Sequence, residues 1–72
     1  MTLADLGIGE RGTVAALHFP PKRAQRLMDL GFIAGQCVTA VLRSPFGDPT
    51  AYQVLDTVIA LRRSDAKKID LA

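Results

Sequence analysis

One stretch of the 72-residue chain constrains its fold more than any other, the run Leu27–Gly35 with the sequence Leu-Met-Asp-Leu-Gly-Phe-Ile-Ala-Gly. The i, i+3, i+4, i+7 spacing of a buried helical stripe is met by Ala24, Leu27, Met28 and Gly31. Gly31 suits the left-handed position that follows a helix, from which Phe32 packs back onto Leu27. The run therefore predicts the end of a short helix, which Pro21 begins, and the passage into a strand.

The rest of the chain is typical of short strands separated by turns. The predicted strands are Gly12–Phe19, Gln36–Arg43, Thr50–Val54, Thr57–Arg62 and Lys68–Leu71. Thr2 is suited to cap an N-terminal helical turn that carries Leu3 and Leu6 as a plug for the core. Ser64 is suited to cap a second single turn. We predict a mainly β fold, a small bent barrel of about five antiparallel strands with one inserted helix, forming a single domain over residues 1–72.

Composition excludes several classes of protein. The single cysteine, Cys37, forms no intramolecular disulfide. No apolar run approaches the roughly 18 residues of a transmembrane helix, and the N-terminus lacks the charged and apolar regions of a signal peptide. We therefore expect a cytoplasmic protein. A formal net charge of +2 favours acidic partners only weakly, and it argues against a nucleic-acid-binding protein.

Neither catalysis nor a strong metal site is indicated by the residues. No nucleophile–base spacing and no phosphate-binding glycine loop is present, so we expect no enzymatic activity. His18 and Cys37 are the strongest candidate metal ligands, but a tight site needs three or four converging groups. They are either ordinary strand residues, or His18 forms a weak divalent-metal site with a nearby carboxylate.

Two surfaces are candidates for binding another molecule. The predicted helix carries three cations, Lys22, Arg23 and Arg26, in a pattern that opposes the helix dipole. They either line a solvated face or await an acidic protein surface or anionic lipid headgroups. In the loop after the second strand, Pro45 and Asp48 flank Phe46 and Gly47. Phe46 either anchors a partner with little ordering entropy to lose or folds back to cap the barrel.

Five segments of the chain together resemble the FeoA family. They are Thr2-Leu3-Ala4-Asp5-Leu6, Gly12-x-Val14, Leu27-x-x-Leu30-Gly31-Phe32-Ile33-x-Gly35, Ser44-Pro45-Phe46-Gly47-Asp48-Pro49 and Ile59-Ala60-Leu61-Arg62. The resemblance implies an SH3-like barrel that works with FeoB, a membrane permease carrying a cytosolic G domain. One departure is the turn Leu55-Asp56-Thr57, where similar chains often have glycine. Asp56 tolerates a positive φ better than most residues, though less well than glycine.

The resemblance leads to a specific functional hypothesis. The chain is expected to be a non-enzymatic cytosolic regulator of ferrous iron uptake that binds the cytosolic part of a FeoB-type permease. Lys22, Arg23 and Arg26 would steer the encounter, and Phe46 with its neighbouring prolines would anchor it. The membrane would be reached only through the permease, no cofactor would be required, and an exposed barrel edge could pair with a second copy.

Two rival hypotheses remain open at this point. The first is a metal-binding or metal-sensing module related to the C-terminal domain of iron-dependent repressors, holding Fe²⁺ or Zn²⁺ weakly through His18 and Cys37. The second is an RNA-binding small barrel, which predicts steeply salt-dependent binding. The modest net charge and the scarcity of aromatic residues argue against the second.

Overall fold

The computed structural model describes residues 1–72 and has five antiparallel strands in one bent sheet. The strands are β1 (Arg11–Leu17), β2 (Cys37–Arg43), β3 (Thr50–Val54), β4 (Thr57–Leu61) and β5 (Ile69–Leu71). Their order in the sheet is β4-β3-β2-β1-β5, which leaves β4 and β5 as the edge strands. Helix α1 (Pro21–Asp29) joins β1 to β2, α2 (Arg63–Ala66) joins β4 to β5, and a 3₁₀ turn covers Leu3–Asp5. The predicted mainly β fold with an inserted helix is confirmed.

The core is aliphatic apart from two aromatic side chains. Twelve buried hydrophobic residues form it: Leu3, Leu6, Val14, Leu27, Phe32, Val38, Ala40, Tyr52, Val54, Leu61, Ala66 and Ile69. Burial of Leu3 and Leu6 confirms that the N-terminal turn plugs the core. The turn is held in place because the Asp5 carboxylate accepts a hydrogen bond from the Thr2 backbone N–H at 2.8 Å, a bond that lowers the pKa of Asp5.

Helix α1 begins and ends where its sequence predicts. Pro21 occupies the first helical position, where its missing N–H leaves no hydrogen bond unmade. At the other end, the N–H of Phe32 donates to the Leu27 carbonyl and the N–H of Gly31 donates to the Met28 carbonyl, both at 3.0 Å. Gly31 has φ +118°. These two bonds define a Schellman motif, which turns the chain so that Phe32 enters the core.

Strand β2 contains a bulge, so the regular alternation of side chains expected along Gln36–Arg43 does not extend to Leu42. Ala40 pairs with Tyr52 on β3, but Leu42 pairs with the very next residue, Ala51, so the residue between them is unpaired. An extra residue reverses the alternation of side chains beyond it. Leu42 is therefore 67% exposed instead of sharing the core face of Ala40.

Several boundaries and one turn also differ from expectation. Strand β1 ends at Leu17 instead of Phe19, and β5 begins at Ile69 instead of Lys68. Arg62, not Ser64, is the N-cap of α2. In the two-residue turn of the β3–β4 hairpin, the positive φ of +54° falls on Leu55 and not on the more tolerant Asp56.

No helix in the structure has both the length and the apolar character needed to cross a membrane.

Candidate partner-binding surface

The loop between β2 and β3 displays Phe46 to solvent. The Phe46 side chain is 96% exposed, so the alternative in which it folds back to cap the barrel does not hold. Beneath it, the Gly47 N–H donates to the Ser44 carbonyl at 2.8 Å, and the Ser44 hydroxyl donates to the Asp48 carbonyl at 3.0 Å. These bonds close the loop on itself, and the exposed ring is therefore carried on an ordered turn that also contains Pro45.

Asp48 ties this loop to helix α2. One oxygen of its carboxylate accepts a hydrogen bond from the Arg63 N–H at 2.9 Å, and the other lies 3.9 Å from the Arg62 guanidinium. Arg63 is the first residue of α2, so the bond satisfies a helix N–H that has no partner within the helix. The contacts of Asp48 are thus internal ones that orient the loop, whereas Pro45 and Phe46 face solvent.

The basic residues of α1 line one shallow cleft of about 250 Å³, formed by Lys22, Arg23 and Arg26. Arg23 is already engaged, because its guanidinium lies 2.8 Å from the Asp65 carboxylate on α2 and 5.7 Å from the centre of the Phe19 ring. Lys22 and Arg26 are exposed and make no ion pair. They are therefore the two cations of this cleft that are free to meet an acidic surface.

The dipole argument applies to only part of this cluster. Lys22 and Arg23 lie in the first turn of α1, which has no acidic residue, and there they oppose the helix dipole. Arg26 lies in the last turn, where a cation is favourable. The expectation that all three charges oppose the dipole is therefore wrong for Arg26.

His18 and Cys37 are not brought together. The imidazole Nε2 of His18 lies 2.7 Å from the Asp70 carboxylate on β5, in an exposed pair. Cys37 is exposed and pairs with Thr13, toward the opposite end of β1 from His18. No group of three or more His, Cys, Asp or Glu side chains is placed to hold a metal ion. His18 and Asp70 thus supply two potential metal ligands, and Cys37 lies apart from them.

Sequence reasoning missed the contacts that position these groups. Arg23 contacts Asp65, which is 42 residues away in sequence, and Phe19, which precedes the helix. Arg43, which belongs to no motif, donates to the Leu6 carbonyl at 3.2 Å and fastens the end of β2 to the N-terminal segment. A basic residue at the end of an otherwise apolar strand is a signal that the side chain leaves the core face, but it does not identify the acceptor.

The bent five-stranded sheet with one inserted helix defines a small SH3-like domain with an exposed aromatic loop and a basic helix face. The model of the FeoA domain matches residues 1–72, and the chain belongs to the FeoA family.

Known relatives agree with this assignment. A fusion protein of Porphyromonas gingivalis, described as Fe²⁺ transport protein A joined to Fe²⁺ transporter FeoB, is 31% identical over 71 residues. That match covers 99% of this chain but only 8% of the fusion protein. Among solved structures, FeoA of Chlorobium tepidum superposes with a TM-score of 0.92 at 31% identity, covering 99% of this chain and 68% of the other.

Two further solved structures bear on the fold. FeoA of Stenotrophomonas maltophilia, solved in complex with zinc and described as an SH3 domain protein, matches with a TM-score of 0.82 at 37% identity, covering 100% of this chain and 89% of that one. A manganese-dependent transcriptional repressor matches with a TM-score of 0.79 at 18% identity, over 96% of this chain and 39% of the repressor. The second likeness is one of fold alone.

Proposed function

We propose that this chain is a non-enzymatic accessory protein of ferrous iron transport, which acts in the cytoplasm by binding the cytosolic part of a FeoB-type permease. The observation that carries the proposal is the fusion relative, in which a FeoA segment and a FeoB transporter form one polypeptide. Covalent linkage keeps two modules at high effective concentration. Separate chains need a binding surface to achieve the same proximity. In this chain we assign that surface to two parts, the loop that carries Phe46 and the basic face of α1.

Phe46 is the proposed anchor. Aromatic side chains that enter a pocket on the partner carry a large share of the energy of protein interfaces. The hydrogen bonds from Ser44 and Gly47 order the loop before binding, and the cost of ordering it on binding is correspondingly reduced. Asp48 supports this role by fastening the loop to α2.

The basic face of α1 is the proposed steering element. Lys22 and Arg26 are exposed and unpaired, and charges of this kind raise the rate of encounter with an acidic surface more than they raise affinity. Arg23 contributes by holding α1 against α2 through Asp65, although an exposed ion pair of this sort stabilises by at most about 1 kcal/mol.

Capture of the permease from detergent-solubilised membranes tests the anchor. Phe46→Ala is expected to reduce capture at least tenfold, because truncation of an anchoring aromatic typically costs about 2 kcal/mol or more of binding energy. Ile33→Ala is the matched control, since it also truncates an exposed apolar side chain but precedes β2 instead of following it. Equal capture by the native chain and Phe46→Ala would place the interface elsewhere, and no capture by the native chain would refute the proposal.

The steering element has its own arm in the same experiment. Lys22→Glu combined with Arg26→Glu is expected to slow association at low salt and to have little effect at high salt, where charges are screened. Lys67→Glu combined with Arg11→Glu, at two exposed sites outside α1, makes the same change in net charge and is the control. An association rate that does not respond to the α1 reversal at low salt would remove α1 from the interface.

A metal-responsive module is the second candidate function. It is favoured by the 2.7 Å approach of His18 to Asp70, which pairs two ligand types suited to Fe²⁺ or Zn²⁺. Two ligands make an incomplete site, so anaerobic calorimetric titration with Fe²⁺ is expected to detect only weak binding. Tight stoichiometric binding that His18→Ala abolishes and Cys37→Ser leaves intact would favour this function over the first.

A further inference from the structure

The two edge strands of the sheet differ in whether another segment of the chain covers them. The outer edge of β5 is covered by the N-terminal segment, because Thr2 forms a bridge with Asp70 and the Leu71 N–H donates to the Met1 carbonyl at 2.9 Å. No comparable segment covers β4. Its outer backbone groups are not among the hydrogen bonds made by turns and loops, which leaves β4 as the open edge.

The register of the β3–β4 hairpin shows which groups point outward. Its two-residue turn closes on the pair Val54–Thr57, and pairing is regular along the strand. The closing pair of such a hairpin is hydrogen-bonded, and hydrogen-bonded pairs then alternate with pairs that are not. The backbone N–H and C=O groups of Val58 and Ala60 are therefore directed away from β3, toward the open edge.

The side chains of β4 do nothing to block this edge. Thr57–Leu61 has the sequence Thr-Val-Ile-Ala-Leu, without charge or proline, and Val58 is 59% exposed. Natural proteins normally protect an edge strand with a charged residue, a proline, a bulge or a covering segment. An edge of high β propensity that lacks all four is suited to pairing with another strand.

We propose that β4 pairs antiparallel with β4 of a second copy of this chain, around a two-fold axis at Ile59. In this register Val58 of each chain lies opposite Ala60 of the other. Both residues direct their N–H and C=O groups outward, so each pair exchanges both of its N–H···O bonds. The two sheets join into one continuous sheet across the dimer.

The charges that flank β4 select this register over its neighbours. In any antiparallel pairing of two β4 strands, the outward-facing residues Val58 and Ala60 must lie opposite outward-facing residues of the other copy. This condition is met when the two-fold axis passes through Val58, Ile59 or Ala60. Asp56 and Arg62 stand three residues before and three after Ile59. Centring on Ile59 therefore brings Asp56, in the turn just before β4, near Arg62 of the other copy, just after β4, whereas the other two centres do not.

Both charged side chains are available for this pairing. Asp56 is exposed and makes no hydrogen bond or ion pair within the chain. Arg62 is 71% exposed and approaches Asp48 only to 3.9 Å. Because a single strand pair buries little surface, the dimer is expected to be weak, and its fraction is expected to rise with protein concentration.

Sedimentation velocity over a wide concentration range tests the proposal. The native chain is expected to show a monomer–dimer equilibrium, and Asp56→Arg or Arg62→Asp alone to weaken it about tenfold by placing like charges opposite each other at two positions. The two changes combined exchange the charges and are expected to restore dimerisation. Asp29→Arg is the matched control, because it makes the same change in charge on α1, away from the edge.

A second variant tests the backbone directly. Ala60→Pro removes an outward N–H without removing a bond to β3 and is expected to abolish the dimer while circular dichroism remains that of the native fold. A native chain that stays monomeric at every concentration would overturn the proposal. So would a dimer that the charge changes and Ala60→Pro leave unaltered. Permease capture by a monomeric chain would show that the proposed function survives such a result.

Discussion

Replacing Phe32 by alanine is expected to lower the free energy of unfolding by about 3–5 kcal/mol, the usual cost of truncating a fully buried phenylalanine. Phe32 has no exposed surface and is among the largest buried side chains. The side chains around Phe32 are themselves packed in the same core, so they can close the resulting cavity only in part. A single core of this size supplies only a few kcal/mol of net stability, so the variant is expected to be largely unfolded at 25 °C.

Phe46→Ala is the matched control for this prediction, since it makes the same chemical change at an exposed position. Its effect on the free energy of unfolding is expected to stay within about 0.5 kcal/mol. Urea denaturation followed by circular dichroism measures both variants. A native-like midpoint for Phe32→Ala, or an equally large loss for Phe46→Ala, would contradict the assignment of core and surface. The stability of Phe46→Ala is also what allows its use in the permease capture experiment.

The parts of the fold that sequence predicted are those fixed by local chemistry. Helix α1 follows from proline at its first position, and its end follows from a glycine that takes φ +118° and returns Phe32 to the core. Each signal operates over a few residues, and so it can be recognised without knowing what lies across the sheet. The same is true of the N-terminal turn, where Thr2 and Asp5 are only three residues apart.

The parts that escaped prediction depend on contacts between distant segments. The bulge that turns Leu42 outward is visible only when β2 is aligned with β3. Asp48 stabilises the start of α2 from fifteen residues away, and Asp70 meets His18 across fifty-two residues. Tertiary packing decides each of these. The positive φ of Leu55, which its own side chain disfavours, belongs instead to the two-residue turn that the β3–β4 register closes.

The candidate site shows the same division. The prolines of the loop predict that it is stiff, and the sequence shows that Phe46 lies within it. Only the structure shows that the ring faces solvent and not the barrel. Charge on α1 was evident in sequence, yet Asp65 removes Arg23 from the set of free cations. Sequence therefore indicated a candidate surface, and packing determines which of its residues are exposed and unpaired.

Gly31→Ala is expected to destabilise the chain by about 2–3 kcal/mol, for two reasons that a second variant separates. At φ +118° any side chain is strained. A Cβ would also lie 3.1 Å from a methyl group of Leu55 and 3.2 Å from one of Val54. Exposed Leu55 can move aside, but Val54 is fully buried in the core, so the crowding cannot be relieved on that side.

Gly35→Ala isolates the backbone contribution. Gly35 has φ +91°, and a Cβ there would meet nothing within 4 Å, so we expect a loss of about 1–2 kcal/mol from the strained backbone alone. Urea denaturation of both variants gives the difference attributable to crowding against Val54 and Leu55. Equal losses would mean that the hairpin moves away from α1 without cost. A larger loss for Gly31→Ala would show that the close approach of the β3–β4 hairpin to the end of α1 requires glycine, and would explain why a Leu-Gly-Phe sequence closes this helix.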